Sequence, residues 1–293
     1  MALPKIATVI NFCSNDYPFL KECIAHVKGI SSQILIPVCD HFFDGVAEDK
    51  QLLQSIYKEN EEATFLEYAW EDRGYPSFYW HNLSRVIGAY FTAQEMEYIL
   101  FLDTDEIVDE DRFREWIEGF ALQKYTALRL ANYWYFRETT YQATIWEHTP
   151  LLVRKERIHG ETLFSPKERN GAYYLTGGEK KDHVLSLDGK PMIHHYSWVR
   201  TEEQMKRKVS SWSHNTERNW MDLVDKEFSR PFNGKDFVHG YEFKEVDSFV
   251  QICLQDRPQA STLPARNVTY MNQKQTAAID LSVRFNIPIP LCI

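Results

Sequence analysis

The sequence predicts an α/β protein built around a parallel, nucleotide-binding type of sheet. Four β-like segments alternate with three helix-like segments within the first 105 residues. The fourth β-like segment, residues 98–102, is a continuous apolar run, which is typical of a strand buried on both faces. Alternation of this kind indicates parallel strands joined by right-handed crossovers, with helices on the faces of the sheet.

The first elements follow from local patterns of side chains. The β-like segments cover residues 6–12, 33–38, 64–68 and 98–102. The helix-like segments cover residues 19–27 and 48–57 and a stretch that begins near Pro76. Apolar residues of the first helix recur near helical spacing, and the proline suits the first turn of the third helix.

The middle of the chain is less regular. We expect a short helix over residues 112–120 and an aromatic strand over residues 126–136. Residues 141–188 carry several glycines and histidines and little periodicity, so they predict loops packed over the open end of the sheet.

The last third of the chain predicts one strand, one helix and a tail. A strand over residues 191–198 leads into a helix from residue 202 to about 220. Thr201 and Gln204 have the spacing of a capping box at the start of that helix. The chain after residue 258 lacks periodicity and predicts an extended segment on the surface.

Composition limits the classes of protein to which the chain can belong. Its 293 residues, 44% hydrophobic and 26% charged, are enough for one large or two small globular domains. The net charge of -9 argues against a generic binder of nucleic acid or anionic membranes. No stretch reaches the length of a membrane span, and the apolar run at residues 6–10 is too short for a signal peptide.

The cysteines predict a reduced, cytoplasmic protein. There are five, an odd number, and they are widely spaced without a Cys-x-x-Cys pair. This pattern disfavours both a disulfide framework and a thiolate zinc site.

Two carboxylates follow the fourth strand. Asp103 and Asp105 stand at its carboxyl end, where open α/β sheets bind ligands, and a period of two places both on one side. Two like charges so close favour a bound divalent cation, which in turn favours a phosphate-rich ligand. The alternative is a polar turn in which Thr104 or Asp105 caps the following helix.

Three segments together resemble the family 2-like glycosyltransferases of the glycosyltransferase A fold. Residues 38–44, Val-Cys-Asp-His-Phe-Phe-Asp, are similar to the family's acidic run after the second strand. Residues 84–88, Ser-Arg-Val-Ile-Gly, keep the Arg and Gly of its Ala-Arg-Asn-x-Gly segment, and residues 98–106 are similar to its Asp-x-Asp strand. The resemblance implies a Rossmann-like mixed sheet flanked by helices, with a helical C-terminal extension.

The same resemblance assigns roles around a nucleotide sugar. It implies that Asp40 contacts the base or ribose and that Arg85 lies near the nucleotide. Asn11 and Asp103 are the other predicted contacts of the nucleotide.

The resemblance also implies a bound Mn²⁺ or Mg²⁺ that neutralises the diphosphate. Asp105 and Asp103 are its predicted ligands, with a histidine from the later strand, either His195 or His194. Strand alternation lets only one histidine face the site, and we favour His195; the alternative is a structural histidine. The basic run at residues 206–208 either contacts the diphosphate or forms a solvated helix face.

An inverting transferase requires a general base to deprotonate the acceptor hydroxyl. Candidates in the loop-rich region are Glu147, Glu161, Glu179 and Asp182. We favour Asp182, followed by Glu179, because the glycine-rich segment that holds them suits a mobile lid over the substrate. The alternative is a solvated, charged turn.

The predicted function is metal-dependent transfer of a sugar, of hexosyltransferase type, in the cytoplasm. The predicted donor is a UDP- or GDP-type nucleoside diphosphate sugar, and the predicted acceptor is a saccharide or lipid-linked saccharide. A lipid-linked acceptor is compatible with contact between this protein and the inner face of a membrane. The alternatives are an aspartate-dependent phosphatase, which expects its motif on the first strand, and a non-catalytic binder of nucleotides or sugars.

The resemblance also implies a division of the chain. Residues 1–200 form the catalytic domain, with a nucleotide-binding part over 1–110 and an acceptor part over 111–200. Residues 201–293 form the helical extension and tail, packed on the same domain.

Overall fold

The computed structural model describes residues 3–72, 74–212, 214–259 and 264–285. Its strands are β1 (Ile6–Asn11), β2 (Gln33–Cys39), β3 (Thr64–Tyr68), β4 (Tyr98–Asp103), β5 (Glu106–Val108), β6 (Ala127–Leu130), β7 (Asn132–Phe136), β8 (Glu138–Glu147), β9 (Leu151–Arg154), β10 (Lys180–Val184), β11 (Ile193–Trp198), β12 (Phe243–Glu245) and β13 (Val268–Met271). Its α-helices are α1 (Tyr17–Val27), α2 (Lys50–Glu59), α3 (Ser77–Phe91), α4 (Glu110–Gly119), α5 (Gly160–Leu163), α6 (Glu168–Leu175), α7 (Glu202–Ser211), α8 (Trp220–Phe228) and α9 (Gln273–Phe285).

The strands form two sheets. The larger sheet has the order β10-β6-β9-β4-β1-β2-β3-β13, and the smaller has the order β12-β8-β7-β11-β5. Strands β4, β1, β2 and β3 are parallel, whereas β9 runs antiparallel to both β4 and β6. This mixed sheet with flanking helices confirms the predicted α/β class.

Strand β4 is buried on both faces, as its apolar run predicts. Leu100 and Leu102 belong to the core on one side of the sheet, and Ile99 and Phe101 belong to the core on the other. In the parallel pairing of β4 with β1, Asp103 lies opposite Asn11. The carboxyl ends of the two central strands therefore meet at one edge.

Helix α3 packs closely on this sheet through a glycine. A Cβ atom placed on Gly88 would lie 2.3 Å from Cγ1 of Val9 in β1 and 3.2 Å from Cγ of Pro37 in β2. The absence of a side chain therefore sets the distance between this helix and the sheet.

The predicted single strand over residues 126–136 is wrong, because the chain changes sheet within it. Strand β6 lies in the larger sheet and β7 in the smaller. Between them, the Ala131 N–H donates to the carbonyl of Val184 at 2.9 Å.

The loops predicted over residues 141–188 are also wrong, since this region holds β8 to β10 and α5 to α6. Strands β9 and β10 pair with β4 and β6, which are distant from them in sequence, so local periodicity does not indicate these two strands.

The predicted helix from residue 202 to about 220 is two helices. Helix α7 ends at Ser211 and α8 begins at Trp220, where the Asn219 side chain caps the backbone N–H of Asp222. The capping box at the start of α7 is confirmed.

The extended tail predicted after residue 258 is wrong for the described residues. Strand β13 adds to the edge of the larger sheet beside β3, and α9 packs on α3. The side-chain amide of Asn267 donates to the carbonyls of Tyr57, Asn60 and Ala63, which fixes the start of β13. Residues 286–293 lie outside the described residues. Within the described ranges, no helix combines the length and apolar character that crossing a membrane requires.

Candidate functional site

A cavity of about 590 Å³ opens at the carboxyl ends of the central strands. Residues of both sheets and of α7 and α8 line it, so it lies where ligands of open α/β sheets bind. Its polar lining includes Asn11, Asp103, Asp105, Glu147, His195 and Lys208. Its aromatic lining includes Trp134, Trp146, Trp198, Trp212 and Trp220.

Asp103 is held between two arginines at the end of β4. Arg85 Nη2 lies 3.2 Å from Asp103 Oδ1, and Arg169 Nη2 lies 2.9 Å from Oδ2. His81 Nε2 approaches Oδ1 at 3.6 Å. Burial opposes ionisation of Asp103, but the cations of Arg169 and Arg85 outweigh it and hold the pKa well below its usual range.

Asp105 lies beyond the end of β4, after a turn that Thr104 fixes by donating its hydroxyl to the Asn11 carbonyl at 2.6 Å. Its Oδ2 accepts from Arg200 Nη2 at 2.7 Å and Lys208 Nζ at 3.1 Å. Despite its burial, Lys208 and the neighbouring His195 and Arg200 hold the pKa of Asp105 well below its usual range. The two carboxylates therefore share one cavity but have separate cationic partners.

The other oxygen of Asp105 has a different environment. Oδ1 is buried and accepts no hydrogen bond from any residue that the structure describes. His195 Nε2 lies 3.4 Å from it. A buried carboxylate oxygen whose near neighbour is an imidazole nitrogen forms with that nitrogen a pair of atoms that can hold a cation.

Glu106 and Arg169 form the buried support of this motif, and sequence reasoning missed both roles. Arg169 donates Nη1 to Glu106 Oε2 at 2.5 Å and Nη2 to Oε1 at 2.9 Å. The Asp103 N–H also donates to Glu106 Oε2 at 2.8 Å. Glu106 stands directly after the recognised motif, whereas Arg169 comes from α6 and carries no local signal.

The two histidines of β11 face opposite ways. His195 lines the cavity, with its ring edge-on to Trp134. His194 bonds through Nδ1 to the Tyr135 hydroxyl at 2.7 Å and stacks on Phe249, and burial lowers its pKa to about 3. His194 therefore does not reach the site at which it was predicted to bind metal, because strand alternation turns it into the core.

The basic run at residues 206–208, in the second half of α7, sends one side chain toward the cavity. Lys208 reaches Asp105, whereas Lys206 Nζ pairs with Glu202 Oε1 at 2.6 Å on the exposed side. Arg207 pairs with Asp44. Helical spacing thus turns the three consecutive basic side chains in different directions. Lys206 lies on a solvated face of the helix, which is the alternative given for this run.

Two of the predicted nucleotide contacts do not line the cavity. Asp40 Oδ1 accepts from the Trp70 N–H at 2.7 Å and lies 2.7 Å from His41 Nδ1, so it braces the turn after β2. Arg85 is buried behind Asp103 and reaches the cavity lining through Asp103, His81 and Glu168.

The predicted bases Asp182 and Glu179 also lie off the cavity lining. Arg129 Nε donates to Asp182 Oδ1 at 2.9 Å, and Nη2 contacts Oδ2. These bonds outweigh partial burial and lower the pKa of Asp182, which makes it a weak base. Glu179 is exposed, and its backbone carbonyl accepts from Thr126.

Glu147 has the properties that these two residues lack. It lines the cavity at the end of β8, and its side chain is 13% exposed. Burial raises its pKa to about 7. His239 Nε2 lies 3.7 Å from Oε1. Glu147 is therefore a cavity-facing carboxyl group that changes protonation near neutral pH.

No protein-family model matches the chain. No curated protein matches it either. Solved structures that match with probability 1.00 include 4-diphosphocytidyl-2C-methyl-D-erythritol synthase of Anaerococcus prevotii, at 12% identity and a TM-score of 0.43 over 73% of this chain and 97% of that chain. GlyE of Streptococcus pneumoniae, a glycosyltransferase, matches at 12% identity and a TM-score of 0.40 over 77% of this chain and 64% of that chain.

A Drosophila beta1,4-galactosyltransferase 7 mutant, in complex with manganese, UDP-Gal and xylobiose, matches at 12% identity and a TM-score of 0.38. That match covers 80% of this chain and 82% of the other. Two of these three structures are glycosyltransferases.

Proposed function

We propose that this protein transfers a sugar from a nucleoside diphosphate sugar to a saccharide or lipid-linked acceptor. The observation that carries this proposal is the cavity at the ends of β1 and β4, where Asp103 and Asp105 stand among cations and tryptophans. Cationic side chains suit a diphosphate, and indole rings suit the apolar face of a sugar.

The donor would lie at the ends of β1 and β4. Asn11 and Asp103 line the cavity there and would contact the nucleoside, of UDP or GDP type. Lys208 lies beside Asp105, and Lys167 also lines the cavity. Their charges would stabilise the diphosphate as it leaves, which is where most negative charge develops.

The residues at Asp105 fit a divalent cation. Its Oδ1, which accepts no hydrogen bond within the geometric limits among the described residues, and the neighbouring His195 Nε2 would be protein ligands. Asp103, which Arg85 and Arg169 hold in place at the end of β4, would orient the donor. An imidazole ligand favours Mn²⁺ over Mg²⁺. The ion, when bound, would offset the charge of the diphosphate.

Glu147 would act as the general base. The acceptor hydroxyl gives its proton to the Glu147 carboxylate while its oxygen forms a bond to the anomeric carbon. The bond from that carbon to the diphosphate oxygen breaks, and its electron pair leaves with the nucleoside diphosphate. Attack from the face opposite the leaving group gives inversion.

We also propose a cytoplasmic location and a catalytic domain over residues 1–200, with residues 201–293 as an extension of the same unit. The contribution of Lys208 to the cavity supports placing the extension beside the catalytic residues.

The first experiment is a thermal-shift panel of UDP, GDP and their sugars, with and without Mn²⁺, followed by transfer assays with the donor that binds. We expect one nucleoside diphosphate to raise the Tm, because a ligand that binds only the folded state stabilises it. Asp105→Asn should abolish the Mn²⁺-dependent part of the shift, whereas Glu179→Gln, an exposed carboxyl off the cavity, should preserve it.

Other outcomes would contradict the proposal. No shift with any nucleotide, together with release of phosphate from a phosphate monoester, would indicate the phosphatase alternative. Binding of a nucleotide sugar without turnover across a panel of saccharide acceptors would indicate a non-catalytic binder.

A further inference from the structure

A second cluster of metal-ligating side chains lies beside the cavity. Among the residues that the structure describes, His148, Asp182 and His183 form the one group whose ligand atoms all lie within 4.8 Å of one another. His148 lines the cavity, and the two other residues lie outside its lining. We propose that these three side chains bind a divalent transition-metal ion at a site separate from Asp105.

A β-bulge builds one half of this site. The pairing of β10 with β6 shifts register between Lys181 and Val184, and Asp182 and His183 lie within the shift. His183 has a φ of 50°, in the left-handed region that residues with a Cβ rarely adopt. Bulges redirect side chains that a regular strand would send to opposite faces, so two consecutive residues can share one ligand set.

His148 supplies the other half from the end of β8. Its ring centroid lies 3.7 Å from that of His183. Its Nδ1 is buried and has no hydrogen-bond partner among the described residues. A buried imidazole nitrogen without a partner is unfavourable, and coordination to a metal ion would satisfy it.

Arg129 holds the carboxylate of the cluster in place. It contacts both oxygens of Asp182, and Asn170 contacts Arg129 in turn. Asp182 Oδ1 also accepts from the His183 N–H at 2.8 Å. An ionised carboxylate has about four lone-pair positions, so these three bonds leave one for a cation. Hydrogen bonds to a ligating carboxylate fix its orientation, although the positive charge of Arg129 weakens cation binding.

The ligand set indicates the class of ion. Two imidazoles and one carboxylate suit Zn²⁺ and other first-row transition metals better than Ca²⁺ or Mg²⁺. Three protein ligands leave an open coordination position. Because His148 lines the cavity, a ligand in the cavity could reach an ion there.

The test measures metal binding and needs no substrate. The chelator-stripped full chain is titrated with Co²⁺, followed by visible absorption, and with Zn²⁺, followed by calorimetry. We expect His183→Ala to weaken binding more than about tenfold. The His183 side chain is 64% exposed, so its removal should leave the fold intact. His148→Ala should have the same effect, and His26→Ala, which removes a histidine on α1 outside the cluster, should bind as the unmodified chain does.

Three results would overturn the inference. They are unchanged Co²⁺ and Zn²⁺ binding by His183→Ala, equal loss in His26→Ala, and loss in Asp105→Asn with binding retained in His183→Ala. Since none of these measurements involves sugar transfer, failure of the proposed function would leave the metal-site test unaffected.

Discussion

Asp105 and Asp16 share one guanidinium. Arg200 Nη2 lies 2.7 Å from Asp105 Oδ2 and 2.7 Å from Asp16 Oδ1, and the arginine side chain is fully buried. Arg200 Nη1 also donates to the carbonyls of Tyr196 and Val199. One side chain therefore joins the end of β11, the segment before α1 and the acidic motif after β4.

Replacing this arginine should destabilise the protein strongly. Arg200→Met leaves Asp105 buried with fewer cations, and breaking a buried ion pair costs about 3–5 kcal/mol. Urea denaturation should show this loss in the free energy of unfolding. Lys226→Met is the control: its pair with Asp222 is exposed, so the loss should be about 0–1 kcal/mol. Equal losses in the two variants would show that burial of Arg200 has no special effect.

The stability of the protein should depend on Glu147. Burial raises the pKa of Glu147 from 4.5 to about 7 in the folded protein, so folding favours its protonated form. The stability that the folded protein gains from holding Glu147 protonated is complete below pH 4.5 and is lost as the pH rises to about 7. Glu147→Gln should therefore gain stability relative to the unmodified chain between pH 5 and 8, by up to about 3 kcal/mol.

Chemical denaturation of both proteins at several pH values measures this difference. Glu156→Gln, whose side chain is 66% exposed, should show no such dependence. A difference between Glu147→Gln and the unmodified chain that stays constant with pH would contradict the raised pKa.

The rate of sugar transfer should depend on the protonation state of Glu147. If Glu147 is the base, kcat/KM should rise with pH and level off above about 7, where the carboxylate is ionised. Glu147→Gln should reduce kcat by about 10²- to 10⁴-fold and remove this limb of the pH profile. A variant that kept the profile of the unmodified enzyme would assign the base to another residue.

Gly88 should not accept a side chain. In Gly88→Ala the new Cβ would lie 2.3 Å from Cγ1 of the buried Val9, so α3 must move away from the sheet. Overpacking costs about 1–3 kcal/mol, and the higher helix propensity of alanine returns at most about 1 kcal/mol. Thermal denaturation should thus show a net loss. Gly177→Ala, with no atom within 4 Å of its Cβ, should be close to neutral.

Local patterns predicted those parts of the fold that depend on neighbouring residues. The apolar run of β4 has Ile99 and Leu100 in opposite cores, and the capping box at Thr201 opens α7. Strand alternation also indicates that the side chains of His195 and His194 point to opposite faces of β11. Each of these features is decided within a few residues of the chain.

Features that depend on distant residues were not predictable. Arg169 meets Asp103 across 66 positions, and β9 finds its place only between β4 and β6. The change of sheet at Ala131 has no glycine or proline to mark it. The preference for Asp182 as a base missed Arg129, which neutralises it from another strand.

Strand β13 forms one edge of the larger sheet, so its own backbone groups are the ones left open at that edge. It is four residues long and covers β3, pairing from Val268 opposite Phe65 to Met271 opposite Tyr68. A short edge strand offers little template for a strand of another molecule, whereas an uncovered β3 would offer a longer one. Strand β13 therefore pairs a row of β3 backbone groups that would otherwise lie open at the edge of the sheet.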